Sequence, residues 1–560
     1  MFAKRNKLKI IVLITLLFLL AFFLRIYGFN WDQSQHLHPD ERFLTMVATD
    51  IKLPNSLSQY FSTSTSPLNP YNYSQYQFFV YGTFPLFLVK VISSIFHQDT
   101  YDQVFLWGRG LSAFFDSLNI IFLFLISRKI FKKKSRLVIL PSLFYTFCVL
   151  PLQLSHFFAV DTFLNTFLVA TFTALVYGLF PLAAVFFGLA LTSKVTALYF
   201  APVIFLFLLK KKNFGSILFS GFCFLVSSLL VFRLFQPYSF TDFFHFNPQF
   251  VNSLKSLNAY NNRQAWYPPG VQWLSKTLFL FSLKNLFFWG IGLSLSCLFL
   301  ISFFKTNLKK IPSTILIALF WTIGLYLYQG SQLVQTLRYF IIIIPFLCLL
   351  IGYFAQNISY RLTLFFTIGH LLFGVMFLSI YSRPHSRVQA TYWINQNIPA
   401  NSILSGEYWD DVLPLYLPEK NNYQNISLQL YDPDTPEKWV GINQQLNSLD
   451  YLVMSSNRLW GSIPLVPDRY PVASQFYQDL FAEKLNFQKI MEINSYPGFA
   501  LPFLKKCYYF GPTNFPGVNN TWFSIDDQCQ YPGLYLRDDT AEEAFTVYDH
   551  PKVLIFRKNQ

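Results

Sequence analysis

Residues 8–42 decide the fold of this chain, and they read LKIIVLITLLFLLAFFLRIYGFNWDQSQHLHPDER. Residues 9–27 are almost uninterrupted apolar side chains, which is the length and composition of a membrane-spanning helix. No small-residue cleavage site precedes Arg25 or Tyr27, so we expect an anchor that is retained rather than a signal peptide that is removed. A polar loop follows and ends with an adjacent pair of carboxylates in the run His38-Pro39-Asp40-Glu41-Arg42.

The composition of the whole chain agrees with that beginning. Of its 560 residues 53% are hydrophobic, 20% are aromatic and only 13% are charged, and the mean hydropathy is +0.35. Soluble domains carry roughly a quarter charged residues, and disordered or collagen-like chains lack this amount of apolar surface. The sequence therefore predicts an integral membrane protein.

The net charge of +15 is distributed unevenly. Residues 383–560 hold 14 Lys and Arg against 19 Asp and Glu, so the basic excess lies upstream. There the basic residues cluster between apolar runs, at 4–9, 128–136, 210–212 and 305–310. Such clusters mark the cytoplasmic ends of membrane helices, and this placement argues against a nucleic-acid partner.

The clusters constrain the topology, because an even number of spans must separate neighbouring cytoplasmic loops. We predict a polytopic α-helical protein of the plasma membrane with about eleven spans, its N-terminus inside and its C-terminus outside. The apolar segment 77–97 is taken as re-entrant or interfacial, since a span there would move two basic clusters outside; twelve spans is the alternative. The predicted spans are 9–27, 104–127, 137–157, 162–178, 180–193, 195–209, 216–235, 285–304, 312–328, 339–355 and 362–381.

Two domains follow from this topology. Residues 1–382 form the transmembrane domain, with outer loops at about 28–103 and 236–284. Residues 383–560 are more polar and alternate helical and strand patterns, which predicts a soluble extracytoplasmic α/β domain. Its predicted helices are 387–397 and about 476–484, and its predicted strands are 402–405, 451–455, 488–493 and 545–557.

Cysteine usage fits this arrangement. Four cysteines fall inside predicted spans, and Cys507 and Cys529 lie in the outer domain, where a disulfide can persist. The sequence leaves open whether they are paired. No CxxC motif or His/Cys cluster predicts a zinc site.

The carboxylates of the first 382 residues lie on one side of the membrane. The topology places eight of nine at the outer face; the ninth, Asp116, shares a helix with Arg109, and an internal ion pair is the favoured explanation. Asp40 and Glu41 sit just above the bilayer, where a carboxylate can take a proton from a hydroxyl nucleophile. Capping a helix N-terminus is the alternative role for this pair, and also for Asp161.

Three cations converge on the same membrane rim: Arg109, Lys194 and Arg338. Cations at these depths are costly unless they are paired or used. Together with the carboxylates they would suit a lipid-phosphate substrate, with the cations stabilising the phosphate. The alternative is that each is an anchor whose charged head reaches the interface.

In their order, these features resemble the GT-C membrane glycosyltransferases, specifically the family 39 or protein O-mannosyltransferase-like group that uses polyprenyl-phosphate sugars. The Asp40-Glu41 pair, Asp161 and Arg338-Tyr339 belong to the resemblance. The C-terminal stretches around Trp393-Ile394, 407–410 and 543–551 resemble a domain of bacterial members. The other matching segments are Tyr81-Gly82-Thr83-Phe84-Pro85-Leu86, Gly108-Arg109-Gly110-Leu111-Ser112-Ala113 and Gly188-Leu189-Ala190-Leu191-Thr192-Ser193-Lys194.

The resemblance implies transfer of a sugar, mannose or another hexose or pentose, from a polyprenyl-phosphate carrier to an acceptor hydroxyl at the outer membrane face, with inversion. Asp40 would be the general base, supported by Glu41 and Asp161. Arg109, Lys194 and Arg338 would hold the donor phosphate. Residues expected to contact sugar or acceptor are His38, His156, Arg263, Trp266 and Trp273, with interfacial anchoring as the alternative for the last three.

A monophosphate donor held by cations needs no cofactor, and no Asp-x-Asp pair occurs at Asp161, so a divalent metal is not favoured. The expected partners are the lipid-linked donor, the bilayer and a protein, lipid or polymer acceptor. Two other functions compete with this one. A lipid-linked-sugar transporter or flippase would carry its acids along a mid-membrane path, and a noncatalytic glycan-recognition protein would not need Asp40.

Overall fold

The computed structural model describes residues 2–131, 136–211, 213–264, 267–418, 421–527 and 529–559. Up to residue 382 the described chain is helical. Its α-helices are α1 (Phe2–Ile26), α2 (Pro39–Asp50), α3 (Leu57–Phe61), α4 (Thr83–Ile95), α5 (Tyr101–Ile130), α6 (Leu140–Thr146), α7 (Val149–Ser155), α8 (Asp161–Val176), α9 (Phe180–Ser193), α10 (Ala201–Leu208), α11 (Phe214–Phe235), α12 (Pro248–Ala259), α13 (Val271–Leu274), α14 (Leu280–Asn285), α15 (Leu293–Phe304), α16 (Ser313–Gly330), α17 (Ile344–Phe354) and α18 (Tyr360–Leu378).

Short 3-10 helices of one or two turns extend or join several of these helices. Two of them lie beside the candidate site: Val195–Phe200 follows α9, and Leu337–Ile343 precedes α17. A π-helical turn at Leu286–Gly290 separates α14 from α15. The other 3-10 turns of the described chain are Pro70–Asn72, Ser74–Tyr76, Arg136–Ile139, Pro237–Ser239, Pro268–Gly270, Leu308–Lys310, Ala355–Asn357, Ser379–Ser382, Ile463–Leu465 and Pro502–Leu504.

The protein is a polytopic helical membrane protein. Six of the described helical segments are long and apolar enough to cross a bilayer, or eight if two bent pairs each count as one span. Four shorter apolar helical segments, Thr83–Ile95, Asp161–Val176, Phe180–Ser193 and Val195–Leu208, fall below that length. Every predicted span overlaps a helix, but the count of eleven and the orientation stay predictions.

Burial separates helices of the interior from helices that face lipid. All but the last residue of α8 are buried, and this helix packs against α5 and α9. In α11, by contrast, large apolar side chains such as Phe219 and Phe222 are exposed. An apolar surface of this extent on a bundle of apolar helices is a lipid-facing surface. The N-terminus of α8 is therefore held at the centre of the bundle.

After residue 382 the described chain forms a mixed helix and strand region. The helices are α19 (Ser386–Asn397), α20 (Pro436–Ser448), α21 (Pro471–Phe481) and α22 (Glu543–Thr546). The strands are β1 (Ile403–Glu407), β2 (Gln424–Leu428), β3 (Tyr451–Met454), β4 (Phe487–Ile493), β5 (Gly498–Ala500), β6 (Cys507–Phe510), β7 (Phe523–Asp526), β8 (Gly533–Leu536) and β9 (Val553–Lys558).

These strands form two sheets. The larger has the order β2-β1-β3-β9-β4, with β1 parallel to both its neighbours and β9 antiparallel to both of its own. The smaller has the order β5-β8-β6-β7. Cys507 of β6 is joined to Cys529 by a disulfide, which answers the question that the sequence left open. The division at residue 382 into two domains stays a prediction.

One predicted strand is partly wrong. The sequence predicts a strand over residues 545–557, but the structure has helix α22 at Glu543–Thr546 and begins β9 only at Val553. The intervening residues dock on the helical bundle instead of pairing with a strand. The amide of Gln153 donates to the carbonyl of Phe545 at 2.6 Å and to Asp549 Oδ2 at 2.9 Å, and Pro551 has no N–H to give to a ladder.

The docked segment fixes the C-terminal region on the bundle. Trp31 Nε1 donates to the carbonyl of Asp549 at 3.2 Å, and the Tyr381 hydroxyl donates to Asp549 Oδ2 at 3.0 Å. His550 lies between Asp549 and Asp538, with its Nε2 2.6 Å from Asp538 Oδ2. Burial alone would lower the pKa of His550, but these two carboxylates raise it to about 10. The charged imidazolium therefore joins Asp549, the residue that contacts the bundle, to Asp538 of the same C-terminal region.

Candidate active site

Asp40 lies in the first turn of α2, and its position follows from the local sequence. His38 caps the helix by accepting from the backbone N–H of Glu41 at 3.4 Å, and Pro39 occupies the first helical position, which suits its fixed φ. Successive residues of a helix point in different directions. Asp40 remains 20% exposed and pairs with Arg338 at 2.5 Å, whereas the Glu41 side chain is fully buried.

The charge state of Asp40 is set by its cationic neighbour. Burial would raise the pKa of this carboxyl, but Arg338, with smaller contributions from His38 and Lys194, lowers it to about 2. Tyr81 lies beside the same pair, and burial together with Asp40 holds its pKa well above the usual value. In this state Asp40 is an ionised carboxylate whose basicity is suppressed by an ion pair.

A second ion pair lies nearby. Asp161 is the first residue of α8, and Lys194 follows α9 in an extended conformation, with its Nζ 2.8 Å from Asp161 Oδ1. The same ammonium lies 4.9 Å from the ring centre of Tyr339, which directly follows Arg338 in the chain. Lys194 thus faces one carboxylate and one aromatic ring and remains partly exposed.

Two cavities meet between these ion pairs. The Asp40 cavity has a volume of about 360 Å³ and is lined by Asp40 and Arg338. The Lys194 cavity has a volume of about 300 Å³ and is lined by Asp161 and Lys194. Both are bounded by the same three residues, Tyr267, Val334 and Tyr339. Each cavity therefore contains a cation and a carboxylate, and these three residues form a wall that the two cavities share.

The walls of the two cavities differ. The Lys194 cavity is largely apolar and aromatic away from its ion pair, with Leu254, Leu257, Leu325, Ile341 and Ile342 among its residues. The Asp40 cavity is closed by residues of the C-terminal region: Trp409, Arg458, Glu542, Ala544, Phe545 and Tyr548. The first suits an acyl chain with an anionic head, and the second suits a polar ligand.

Gly82 fixes the first loop against the end of α9. Its N–H donates to the carbonyl of Ser193 at 3.0 Å, and a Cβ at this position would lie 2.1 Å from the carbonyl oxygen of Thr192. Only glycine permits this approach of two backbones. The contact holds Ser193, and hence Lys194, close to the loop that follows α2.

Arg109 and Glu41 lie in a separate cluster and line neither of the two cavities. The Arg109 guanidinium donates to Glu41 Oε2 and Oε1 at 2.9 and 2.5 Å, to Asp32 Oδ1 and Oδ2 at 2.9 and 2.8 Å, and to the carbonyl of Phe29 at 2.6 Å. A guanidinium has five N–H groups, so these bonds engage all five. Arg109 has no donor left for a further ligand.

The expected ion pair between Arg109 and Asp116 is wrong. Asp116 pairs instead with Arg25 of α1 at 2.6 Å, and the Tyr145 hydroxyl donates to it at 2.5 Å. Seven residues along α5 place Asp116 about two turns below Arg109, level with the end of α1 rather than with the loop after it. The sequence showed the shared helix face but not the nearer partner on another helix.

The expected sugar or acceptor contacts fall in different places. His38 lines the Asp40 cavity, and so does the buried Trp273. The ring nitrogens of His156 lie 2.7 and 3.1 Å from the carbonyls of Leu152 and Tyr27, so this histidine is engaged within the bundle. Arg263 is exposed on a turn and lines neither cavity. Trp266 lies outside the described residues.

Sequence reasoning missed several residues that the fold brings to the site. Glu542, Arg458 and Trp409 of the C-terminal region line the Asp40 cavity, together with Tyr267 of the middle loop. Glu542 directly precedes residues 543–551, which carry part of the resemblance. This position was the signal from which Glu542 could have been identified. Among the described residues, no group of three or more His, Cys, Asp and Glu side chains is placed to hold a metal ion; cofactor independence stays a prediction.

Comparison with known proteins relates the fold to solved membrane enzymes. No family model and no curated protein matches the sequence. The archaeal oligosaccharyltransferase AglB from Archaeoglobus fulgidus, solved with an inhibitory peptide and a dolichol-phosphate, superposes with a TM-score of 0.51 at 12% identity, over 84% of this chain and 72% of that one. ArnT from Cupriavidus metallidurans, bound to undecaprenyl phosphate, gives 0.46 at 14% identity, over 86% and 96%.

The likeness to AglB concerns the fold, since the two sequences are only 12% identical. It extends over most of both chains and so includes the helical bundle and part of the C-terminal region. The assignment to the family 39 group stays a prediction. The chain has the fold of the GT-C membrane glycosyltransferases.

Proposed function

We propose that this protein transfers a sugar from a polyprenyl-phosphate carrier to an acceptor hydroxyl at the outer face of the plasma membrane, with inversion at the anomeric carbon. The observation that carries the proposal is the pair of adjoining cavities. One offers a lysine beside apolar walls, and the other offers a carboxylate that a hydroxyl nucleophile can approach. AglB, which shares the fold, was solved with a dolichol-phosphate.

In the proposed reaction the lipid phosphate lies at Lys194 and the acceptor hydroxyl lies at Asp40. The acceptor oxygen attacks the anomeric carbon as the bond from that carbon to the phosphate oxygen breaks. The acceptor proton passes to the Asp40 carboxylate, and the phosphate leaves with its added negative charge beside Lys194 and Arg338. The anomeric carbon lies between the two cavities in this reaction, and attack and departure on its opposite faces give inversion.

The Asp40–Arg338 ion pair would make deprotonation of the acceptor depend on prior binding of the donor. While Arg338 holds Asp40 at 2.5 Å, the carboxylate is a poor base, because its pKa is about 2. A donor phosphate that draws the guanidinium toward itself would release the carboxylate and raise that pKa. Asp40 would then become an effective base when donor is present, which limits loss of the donor to water.

The remaining expected site residues take other roles in this proposal. Asp161 orients Lys194 through their 2.8 Å contact and offsets its charge when no phosphate is bound. Glu41 and Arg109 hold the first loop on α5 through bonds that are already saturated. His156 supports the bundle through Tyr27 and Leu152. Sugar identity and metal independence stay expectations from the resemblance.

The test is sugar transfer from a radiolabelled pool of polyprenyl-phosphate sugars, in membranes that contain wild type or Asp40→Asn at matched expression. We expect the variant to lose 10²- to 10⁴-fold in rate and to keep donor binding. Asp102→Asn is the matched control, because the Asp102 side chain is 80% exposed and lines neither cavity. Equal transfer by wild type and Asp40→Asn would remove Asp40 from the mechanism, and no transfer from any donor would refute the function.

A further inference from the structure

The Asp40 cavity contains an unusual concentration of buried polar atoms without partners. Gln272 Oε1, Trp273 Nε1 and Glu542 Oε1 are buried, and none of them makes a hydrogen bond of ordinary geometry within the described part of the chain; the Thr336 side chain lies near Glu542 and favours its ionised form. All three residues line this cavity and are less than a tenth exposed. Buried polar groups are nearly always paired, so three such atoms around one cavity indicate a missing ligand.

The chemistry of these three atoms selects the ligand. The Gln272 oxygen accepts a hydrogen bond, and the Trp273 indole N–H donates one. Glu542 can do either: burial raises its pKa to about 8, so it is protonated at neutral pH, and its other oxygen accepts from the backbone N–H of Leu337. A ligand that both donates and accepts is required, which describes hydroxyl groups and excludes a bare anion.

The charges around the cavity point the same way. Arg338 is paired with Asp40, and Arg458 is paired with Glu543 at 2.9 Å. Burial lowers the pKa of His38 to about 4, so this histidine is neutral. With each charged group offset by a partner, the cavity has no net charge to attract an ionic ligand. An uncharged ligand fits this balance best.

The walls and the size of the cavity complete the description. Aromatic rings of Tyr267, Trp273, Trp409 and Tyr548 border it, and such rings pack on the C–H faces of a sugar ring while its hydroxyls reach polar groups. A volume of about 360 Å³ lies in the range of small-molecule sites. The Lys194 cavity shares only Tyr267, Val334 and Tyr339 with it and does not include these four aromatic rings except Tyr267.

We infer that Gln272, Trp273 and Glu542 form an acceptor subsite that binds the hydroxyls of a neutral sugar, so that the acceptor is a carbohydrate rather than a peptide side chain. The assignment of this subsite to the acceptor rests on the proposed function. The existence of a sugar-binding site does not depend on it. Glu542 and Trp273 would be specificity-determining residues, contributed by the C-terminal region and by the middle loop.

The test measures binding without catalysis. Purified full-length protein in detergent is titrated calorimetrically with methyl glycosides of mannose, glucose, galactose and arabinose, and with methyl glucuronide as an anionic probe. We expect saturable binding of at least one neutral glycoside and weaker binding of the glucuronide. Trp273→Phe and Glu542→Met should each weaken binding of the neutral glycoside about tenfold, the effect of one lost hydrogen bond.

Trp289→Phe is the matched control, because Trp289 Nε1 is also buried and has no hydrogen-bond partner among the described residues, but Trp289 lines neither cavity. It should leave glycoside binding unchanged. Absence of saturable binding for the whole panel, preference for the glucuronide, or equal affinity of wild type and Trp273→Phe would each overturn the subsite.

Two further arms separate this inference from the proposed function. Glycoside binding that persists with polyprenyl phosphate and with the intact donor bound supports an acceptor site; competition by the intact donor, but not by polyprenyl phosphate, would overturn it and assign the subsite to the donor sugar. If wild-type protein transfers no sugar from any donor while Trp273→Phe loses glycoside binding, the proposed function fails and the sugar site stands.

Discussion

Replacing Arg109 by Gln tests whether this residue supports the fold or binds the donor phosphate. The substitution removes the guanidinium from between Asp32 and Glu41, whose side chains are 1% and 0% exposed. Two carboxylates then remain buried without their cation. Breaking a buried ion pair by removing one partner costs about 3–5 kcal/mol, and here a single residue serves two carboxylates, so we expect the upper part of that range.

Thermal unfolding of the purified protein in detergent measures this cost. Cys148 and Cys348 are free and buried, whereas Cys223 and Cys297 are free and at least partly exposed, so in a background with Cys223→Ser and Cys297→Ser a thiol-reactive dye reports unfolding. We expect Arg109→Gln to lower Tm by on the order of 5–10 °C. The Asp40–Arg338 pair is 20% and 23% exposed, so Arg338→Gln should change Tm by only a few degrees while it abolishes sugar transfer.

A compensating variant tests whether the unpaired buried carboxylates cause the loss of stability. Combining Arg109→Met with Asp32→Asn and Glu41→Gln removes the charges together, and replacing a buried ionic group by neutral side chains is often neutral for stability. The triple variant should therefore recover most of the lost Tm and retain donor binding. If Arg109→Gln unfolds at the wild-type temperature but no longer binds polyprenyl phosphate, the structural role is refuted and Arg109 is a phosphate ligand.

Two other predictions concern the docked segment and the first loop. The pKa of His550 is raised to about 10, so its stabilising charge is complete below about pH 6.5 and is lost as the pH rises toward 10; Tm should fall between pH 7 and 10, and a wild-type slope equal to that of His550→Gln would contradict this. Gly82→Ala places a Cβ 2.1 Å from the Thr192 carbonyl oxygen and should lower Tm and donor affinity. Gly110→Ala, with open space around its Cβ, is the control, and equal behaviour of the two variants would contradict the close-approach argument.

The helical bundle was largely predictable from the sequence, because long apolar runs and basic clusters are local signals. The predicted span 285–304 shows the limit of such signals. Its apolar composition predicts one continuous helix, but in the structure the two helical segments Leu280–Gly290 and Leu293–Phe304 meet at an angle of 111°. The bend occurs at a π-helical turn and at Gly292, whose φ is +82°, and these are backbone properties that hydropathy does not register.

The candidate site was predictable in its residue types but not in its pairing. Asp40, Asp161, Lys194 and Arg338 were identified from their position at one membrane rim, and the fold brings them to two adjoining cavities. That Asp40 faces Arg338 while Glu41 faces Arg109 depends on the helical rotation of α2 against two different elements. Such rotation is set by tertiary packing, so adjacent carboxylates looked equivalent in the sequence.

The larger sheet has a consequence for the biogenesis of the protein. Its strand β9 pairs with β3 on one side and with β4 on the other, although it is synthesised after both. Glu542 and Tyr548, which close the Asp40 cavity, lie within the eleven residues before this strand. A ribosome that has inserted every apolar helix has therefore not yet made the wall of the cavity. The Asp40 cavity is therefore complete only after residues 542–558 have been made and have folded against the bundle.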